Sequence, residues 1–407
     1  MRWPCLELSV VNERCANRLA IVCTHPVQYL SPVFAQLAKC DDLDVKVYYG
    51  WKGGTQTTLD HGFGQQFAWD VPLLEGYNFQ FETNVAKDPG GHHFRGVDLP
   101  SLINNIVSWR ADGVFIYGWC YKSHLRAMRF FKGRVPVFFR GDSTLLDEVG
   151  GWKTLLRRIV LKRVYRNVDV AFSVGTNNRE YFLKHGLADS QIVHAPHAID
   201  NMRFHKSAVS VTNSLRRELG IPENNIVFAF CGKLEHKKSP DELLASFLRI
   251  GSADAHLIIA GSGPMESSLR SLANERVHFL GFQNQTQMPR VYEAADLVVL
   301  PSRGPGETWG LALNEAMACG RAVLASDRVG AAIDLIQLGK NGWIVPACDG
   351  HALEASLRQA VALGRHGLTE YGKASKDIID RWSIPIQVEA IARTVKLVMA
   401  TRENAHA

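Results

Sequence analysis

Short apolar runs alternate with longer helical patterns along almost the whole chain, and this alternation limits the possible folds more than any other feature. The runs are apolar on successive residues, as is typical of strands that are covered on both faces. Strand–helix alternation predicts parallel sheets in an α/β fold. The predicted strands are 19–23, 45–49, 114–117, 135–139, 170–174, 226–230, 257–260, 277–280, 297–300, 322–325 and 343–345.

The alternation is interrupted at 200–222, a polar stretch without a clear strand. With 407 residues and roughly 150 residues per domain, the interruption suits a connection between domains. We predict two doubly wound Rossmann-like domains, at 1–205 and 206–384, facing each other across a cleft. The carboxyl ends of the strands would line that cleft. The segment 50–94 fits the alternation poorly and is interpreted as a binding loop.

Composition excludes several classes of protein. Apolar residues make up 46% and charged residues 21%, which excludes intrinsic disorder. The net charge of +6 is compatible with phosphorylated substrates or an anionic membrane, and it does not require nucleic acid. The eight cysteines form no CxxC pair, so we expect buried free thiols in a reducing compartment.

Two observations suggest a cytoplasmic protein. No apolar run approaches the ~18 residues that span a bilayer. The first 17 residues carry charges at Glu7, Glu13 and Arg14, so we interpret them as a loose extension and not as a signal peptide.

The segment 301–320, PSRGPGETWGLALNEAMACG, is the most informative motif. A loop rich in Gly and Pro follows a predicted strand and leads into a helix over 310–319, which Gly320 would end in a left-handed conformation. The free N–H groups at Trp309–Leu311 would bind an anion, and Gly310 would let a phosphate approach the backbone.

A carboxylate lies on each side of this anion site. Glu307 precedes the helix and Glu315 lies on it. A nucleotide sugar fits the arrangement, with its diphosphate at the helix end and its sugar and ribose hydroxyls on the two glutamates. The alternative is an ordinary helix with a charge near its first turn and a second on a solvated face.

The loop that follows strand 226–230 carries three lysines in the sequence GKLEHKK, residues 232–238. Cations at a strand end would stabilise a leaving diphosphate. We assign this role to Lys233 and Lys238, whereas Lys237 is interpreted as a solvent-facing charge.

The segment 152–166, WKTLLRRIVLKRVYR, is basic and amphipathic and carries no acid. Such a helix could lie on an anionic membrane and reach a lipid-linked acceptor. The alternative is a core-packing helix with a solvated basic face.

The second half of the chain resembles the family 4 glycosyltransferases, which are retaining enzymes of the GT-B fold. The resemblance lies in GKLEHKKSPDELLASF (232–247), LIIAGSGPMESSLR (257–270), VHFLGF (277–282), YEAADLVVLPS (292–302) and the glutamates eight residues apart, Glu307 and Glu315. These motifs occur in the family's order over about 130 residues.

The resemblance implies a role for each matching position. Glu307 would bind the sugar hydroxyls, Glu315 the ribose, and Lys233 and Lys238 the diphosphate. The family typically needs no metal, so neither a metal nor a cofactor is expected. The remaining donor-binding positions are Gly232, Gly281, Phe282, Thr308, Trp309, Gly310 and Leu311.

The first half matches the family less well. Thr24-His25-Pro26-Val27-Gln28-Tyr29 stands where the family has a Gly-rich loop, and the family's His-x-His element is missing. Candidates near the reacting carbon are His25, Asp142 and His124, although they could equally be a loop, a cap and a helix-face residue. Tyr117 and Arg140 complete the predicted acceptor side, together with His124.

The expected activity is transfer of a sugar from a nucleoside-diphosphate sugar to an acceptor hydroxyl in polysaccharide or glycolipid assembly. A sugar-nucleotide epimerase and a non-catalytic sugar-nucleotide-binding subunit remain as alternatives. The helix predicted over 385–407 would return to the first domain, as the GT-B resemblance implies.

Overall fold

The computed structural model describes residues 16–60, 64–210 and 214–406. The predicted N-terminal extension lies outside these residues except for its last two positions. Two sheets dominate the chain, and every strand in each is parallel to its neighbours. This architecture confirms the predicted fold class.

The first sheet has the strand order β5-β2-β1-β6-β7-β8-β9. Its strands are β1 (Asn17–Cys23), β2 (Leu43–Tyr49), β5 (Asn78–Phe81), β6 (Gly113–Tyr117), β7 (Val137–Arg140), β8 (Val170–Ser173) and β9 (Ile192–His194). A separate antiparallel hairpin is formed by β3 (Thr58–Asp60) and β4 (Gln65–Phe67).

The second sheet has the strand order β12-β11-β10-β13-β14-β15. Its strands are β10 (Ile226–Cys231), β11 (Ala255–Ala260), β12 (Val277–Gly281), β13 (Leu297–Leu300), β14 (Ala322–Ser326) and β15 (Gly342–Val345). Every strand predicted from the sequence is present in one of the two sheets. The prediction missed β3, β4, β5 and β9, which are short and partly exposed where their side chains are described.

Helices cover both faces of the two sheets. They are α1 (Ser31–Leu37), α2 (Leu102–Ser108), α3 (Lys122–Phe131), α4 (Trp152–Tyr165), α5 (Thr176–Lys184), α6 (Asn201–Ser210), α7 (Ser214–Glu218), α8 (Pro240–Ile250), α9 (Glu266–Leu272), α10 (Met288–Ala294), α11 (Leu311–Ala318), α12 (Ala332–Leu335), α13 (Gly350–Ile379) and α14 (Ile384–His406). None of these described helices is both long and apolar enough to cross a bilayer.

The polar stretch 200–222 is not an open linker. It forms α6 and α7, whose Phe204 and Leu215 are buried in the core of the second sheet. The chain crosses between the sheets just before this stretch and returns just before α14, where Ile199 and Ser383 pair as a parallel bridge. Helix α14 then packs on α1, and its Ile391 and Val395 are buried in the core of the first sheet.

The expectation of buried thiols is only partly correct. All six described cysteines are free, and Cys23, Cys231 and Cys319 are buried. Cys120 and Cys348 are exposed because they lie in loops at the ends of strands and not within them. The other two cysteines lie outside the described residues.

The strand order reverses at one place in each sheet, between β1 and β6 and between β10 and β13. Ligands of open α/β sheets bind beyond the carboxyl ends of the strands at such reversals. The loops that leave β10 and β13 are those that carry the predicted lysines and glutamates. Topology therefore brings the two sequence motifs together.

Candidate functional site

The loops after β10 and β13 are held together by Arg303. Its backbone N–H donates to the Lys237 carbonyl at 2.9 Å, and its Nε donates to Ser239 Oγ at 2.7 Å. Its guanidinium also pairs with Asp241 at 3.1 Å, on the first turn of α8. The lysine loop and the glutamate loop therefore form one connected structure.

The GSGP segment after β11 supports the lysine loop from the other side. Leu234 N–H donates to the Ser262 carbonyl at 3.0 Å, and the Leu234 carbonyl accepts from Met265 N–H at 3.0 Å. A Cβ atom at Gly261 would lie 1.8 Å from the Gly232 carbonyl oxygen. Glycine is therefore required at 261 for the two loops to pack this closely.

A cavity of about 500 Å³ opens beside these loops. Its walls come mainly from the second domain, and the first domain contributes three side chains. The lining residues used below are Gln28, Tyr29, Trp69, Lys233, Lys238, Phe282, Tyr292, Leu311, Ala312 and Glu315. Both predicted diphosphate-binding lysines thus line one opening.

Helix α11 begins at this cavity. Gly310 precedes it in the left-handed region with φ 99°, and Gly320 follows it with φ 66°, as predicted for a helix end. Leu311 and Ala312 line the cavity, and N–H groups in the first turn of a helix have no acceptor within the helix. The positive end of the helix dipole therefore faces the space between the lysines and Glu315.

Two predicted donor-binding side chains have other roles. Thr308 Oγ1 donates to Asp142 of the first domain at 2.7 Å. The Trp309 ring is buried, donates through Nε1 to Asn314 Oδ1 at 2.8 Å and packs against Trp382. The Trp309 side chain is therefore unavailable to a ligand, and the Thr308 hydroxyl is already joined to the first domain.

Lys238 and Glu307 form an ion pair in which the lysine Nζ contacts Glu307 Oε2. The same carboxylate oxygen accepts from Ser302 Oγ at 2.9 Å. Glu307 is buried and does not occur among the described residues that line the cavity. The predicted contact between Glu307 and a sugar therefore stays a prediction. In this structure the Glu307 carboxylate holds the ammonium group of Lys238.

Glu315 lines the cavity and accepts a 2.6 Å hydrogen bond from the Tyr292 hydroxyl. Burial raises the pKa of Glu315, while the Tyr292 hydrogen bond and the charge of Arg203 oppose the rise. A second cavity of about 160 Å³ shares Glu315 and Gln285 with the first and adds Arg203, which donates to Gln285 Oε1 at 2.5 Å. Glu315 thus faces the opening from the end opposite the lysines.

The predicted residues of the first domain have varied positions. His25 stacks on Trp51, and burial lowers the pKa of His25 to about 4, so its imidazole is neutral at pH 7. His124 is fully buried, with Nδ1 2.9 Å from the Gly118 carbonyl, and offers an acceptor no contact in this structure. Asp142 bridges the domains through Thr308.

The two other predicted acceptor-side residues are buried as well. The Arg140 guanidinium donates to the carbonyls of Ala195 and Pro196 at 2.8 and 3.2 Å. Tyr117 packs against Phe34 with ring centroids 5.4 Å apart. Arg140 thus holds the loop that follows β9, whereas Tyr117 packs against α1.

The first-domain residues that do line the cavity were not selected from the sequence. Gln28 and Tyr29 lie in the loop after β1, and Trp69 lies in the segment 50–94 that was interpreted as a binding loop. The aromatic content of that segment was the only signal for Trp69. Tyr292 lies on a buried helix, and its position by Glu315 had no sequence signal.

The segment Gln65–Asp70, here called the strap, crosses from the first domain to the second. The rings of Phe67 and Phe282 lie 4.4 Å apart, and Asn284 Nδ2 donates to the Ala68 carbonyl at 2.8 Å. Asp70 accepts from the backbone N–H of Thr286 at 3.1 Å and also from its hydroxyl. The strap thereby covers the Phe282 end of the cavity.

One group of described side chains could hold a metal ion, and it lies outside the cavity lining. Asp88, His92 and His93 bring their ligand atoms within 4.8 Å of one another. His93 Nδ1 accepts from Arg95 N–H, which places the imidazole proton on Nε2, and that atom lies 2.9 Å from the Asp88 carbonyl. The hydrogen bonds of this loop therefore already use the ligand atom of His93.

Comparisons with known proteins agree with this geometry. Residues 211–375 match the family model described as glycosyl transferases group 1. A GDP-mannose-dependent monoacylated alpha-(1-6)-phosphatidylinositol monomannoside mannosyltransferase of Corynebacterium glutamicum is 31% identical over 44% of this chain and 50% of its own. A D-inositol 3-phosphate glycosyltransferase of the same species is 34% identical over 49% and 50%. The chain thus spans about half the length of these curated relatives.

The similarity of fold extends over nearly the whole chain. The structure of Anabaena HepE in complex with UDP and glucose superposes with a TM-score of 0.68 and 19% identity, covering 93% of this chain and 99% of the other. Residues 211–375 therefore resemble the glycosyl transferases group 1 family, and nearly the whole chain shares the GT-B fold.

Proposed function

We propose that this chain is a retaining glycosyltransferase of family 4 that moves a sugar from a nucleoside-diphosphate sugar to an acceptor hydroxyl. One observation carries the proposal. Lys233, Lys238, Glu315 and the start of α11 surround a single cavity at the strand-order reversal of the second sheet. This arrangement suits a ligand with a diphosphate in the middle and hydroxyl groups beyond it.

The proposed donor orientation follows from the charges. The diphosphate lies at the N-terminal end of α11, with Lys233 and Lys238 beside it. Glu315 accepts hydrogen bonds from the ribose hydroxyls. The base lies toward Phe282 and Trp69, where aromatic rings supply a stacking surface.

The proposed reaction exchanges one bond at the anomeric carbon. The bond from that carbon to the diphosphate oxygen breaks, and a bond to the acceptor oxygen forms on the same face of the sugar. The acceptor proton passes to the departing diphosphate. Lys233, Lys238 and the helix end stabilise the developing negative charge, so we propose that no metal is required. Closure of the domains excludes water from the donor.

The acceptor class is proposed from the relatives. The Corynebacterium mannosyltransferase is named for a phosphatidylinositol mannoside, which is a glycolipid. HepE was solved with UDP and glucose. We therefore propose a glycan or glycolipid acceptor in surface polysaccharide or glycolipid assembly. The free thiols of the described cysteines suit action in the reducing cytoplasm.

A donor and acceptor screen tests the function. Purified full-length protein is incubated with UDP- and GDP-sugars, alone and with lipid-linked or free glycan acceptors, in buffer containing EDTA. The proposal predicts product only with an acceptor, with the anomeric configuration of the donor. Conversion of a donor to an isomer without acceptor would identify an epimerase. Donor binding without transfer to any acceptor would indicate a non-catalytic subunit.

A further inference from the structure

The N-terminal half of α4 carries large apolar side chains on its outward face. Trp152, Leu155, Leu156 and Ile159 are 71%, 61%, 53% and 44% exposed. Their spacing of i, i+3, i+4 and i+7 places them on one side of the helix, and we call them the apolar stripe. Contiguous exposed apolar surface of this kind usually marks an interaction site.

The stripe is not needed to attach α4 to the domain. Leu161, Val164 and Tyr165 bury the opposite side of the helix in the first domain's core. The sequence left open whether segment 152–166 packs in a core or lies on a membrane. The structure separates these roles, because the C-terminal half of α4 packs inward while the apolar stripe faces solvent.

The charges within segment 152–166 are all positive. Lys153, Lys162, Arg163 and Arg166 are exposed, and segment 152–166 contains no acidic residue. Glu148, just before the helix, is mostly buried and is paired with Arg158 at 2.6 Å. The exposed face of α4 therefore combines an apolar centre with basic flanks, which is complementary to an anionic lipid surface.

The loop before α4 extends this face toward the cleft. Val149 is 81% exposed and is followed by Gly150 and Gly151, so the loop presents an apolar tip beside Trp152. Two residues before Val149, Asp147 Oδ2 accepts from Gly306 N–H at 2.6 Å. The exposed face thus begins next to the glutamate loop of the candidate site.

We propose that the apolar stripe, Val149 and the four flanking basic residues dock this protein on an anionic membrane. In this arrangement α4 lies in the headgroup region, with the stripe inserted and the cations at the level of the lipid phosphates. The mouth of the cleft then faces the membrane surface. A lipid-anchored acceptor, if the proposed function holds, would reach the cleft without leaving the bilayer.

Vesicle flotation tests the docking surface independently of catalysis. Full-length protein is mixed at low salt with vesicles of phosphatidylcholine alone or with phosphatidylglycerol added. One variant removes apolar groups (Leu155→Gln with Ile159→Gln), and another removes charge (Lys153→Gln with Arg163→Gln). A matched control changes the exposed Leu338 and Lys340 of the second domain to Gln. Melting temperature and UDP or GDP binding are measured for every variant.

Wild type and the control are expected to float with anionic vesicles and to be released by high salt. The charge variant loses two basic residues, which should weaken its partition onto anionic vesicles roughly 30-fold. The apolar variant loses two membrane-inserted aliphatic side chains, which should weaken partition at least about tenfold. Nucleotide binding should be unchanged, so a failed function and a failed docking surface are distinguishable. No flotation of wild type, or equal flotation of all variants, would overturn the proposal. A dimer that the stripe variant abolishes, without flotation, would instead identify a contact between two copies.

Discussion

At the scale of single residues, the candidate site is organised around the ion pair between Lys238 and Glu307. The Glu307 carboxylate is buried and the Lys238 side chain is 20% exposed. A buried ion pair gives little net stability compared with an apolar replacement, because both charges are desolvated. The pair does hold an ammonium group in a fixed position beside the cavity, which is what stabilisation of a leaving diphosphate requires.

Replacing Lys238 with alanine should reduce kcat by about 10²–10³, the usual cost of losing one preorganised donor to a developing charge. The measurement is steady-state transfer at saturating donor and acceptor. Because the change leaves Glu307 buried with Ser302 as its described hydrogen-bond partner, thermal unfolding is recorded in parallel, and assays are run well below the melting temperature.

Lys237→Ala is the matched control for this variant. Lys237 lies in the same loop and also lines the cavity, but its side chain is 40% exposed and pairs with Glu235 at 3.3 Å. Such exposed pairs contribute little. Near wild-type turnover is therefore expected for Lys237→Ala. Equal turnover in the two lysine variants would remove Lys238 from the mechanism.

Glu315 makes stability depend on pH. Burial raises the pKa of the folded-state carboxyl above the ordinary value of about 4.3. The folded state therefore binds this proton more tightly than the unfolded state does. The resulting contribution to the free energy of unfolding is complete below the unfolded-state pKa and is lost as pH rises through the folded-state pKa. Glu315→Gln keeps a neutral side chain, so its melting temperature should exceed that of wild type at pH 7.5.

The difference should shrink as the pH is lowered toward 4, where the wild-type carboxyl is also protonated. The same variant should bind a nucleoside diphosphate about tenfold more weakly, because a charge-assisted hydrogen bond to the ribose is lost. Melting curves at several pH values, with calorimetry at one of them, check both effects. A gain in stability with unchanged affinity would leave Glu315 without a role in binding.

At the scale of elements, the regular parts of both sheets could be predicted from the sequence. Strands such as β10 and β13 are buried on both faces, so their apolar runs are unmistakable. The positions of the two predicted donor-binding loops could be predicted as well, because these loops begin where β10 and β13 end. The strap, by contrast, gains its position from contacts more than 200 residues away, such as Asn284 with Ala68, and no local pattern encodes such contacts.

The ion pair between Glu307 and Lys238 could not be predicted for the same reason. The sequence placed Glu307 before a helix and Glu315 on that helix. The partner of Glu307, Lys238, comes from a different loop that follows another strand. Likewise, the burial of His124 and Arg140 depends on how the loops at the edge of the first sheet pack together. The amino-acid composition of those loops does not show whether a polar side chain such as His124 or Arg140 is buried or faces the cleft.

The strap should contribute to donor affinity. Asp70→Ala removes the hydrogen bonds to the backbone and hydroxyl of Thr286, which join the strap to the loop beside Phe282. With about 1 kcal/mol for a typical net hydrogen bond, the KM for the donor should rise about fivefold. Turnover at saturating donor should change less, because the lysines and α11 are untouched.

A double-mutant cycle with Thr286→Ala tests whether the contact itself matters. If Asp70 and Thr286 act through their hydrogen bond, removing both side chains should cost no more donor affinity than removing one. The double variant should then bind donor as tightly as the single variant that binds it less tightly. Fully additive losses would mean that the two residues act separately and that the strap does not hold the donor pocket closed.

At the scale of the whole molecule, the two domains meet through polar contacts on several sides of the cleft. Asp142 accepts from Thr308, Asp334 accepts from Thr176 N–H at 2.9 Å, and Asp70 accepts from Thr286. Hydrogen bonds of this type can be exchanged for water, so we expect the domains to separate and close again. Opening would admit a donor, and closure would bring Gln28, Tyr29 and Trp69 onto it.

The central claim is that a diphosphate lies between Lys233, Lys238 and the start of α11. Calorimetric titration of the nucleoside diphosphate and monophosphate of the preferred base tests it most directly, because the two ligands differ only at the position the lysines should contact. Wild type should bind the diphosphate at least tenfold more tightly. That preference should largely disappear in Lys233→Ala with Lys238→Ala. Equal affinity for both nucleotides in wild type, or an undiminished preference in the double variant, would contradict the account.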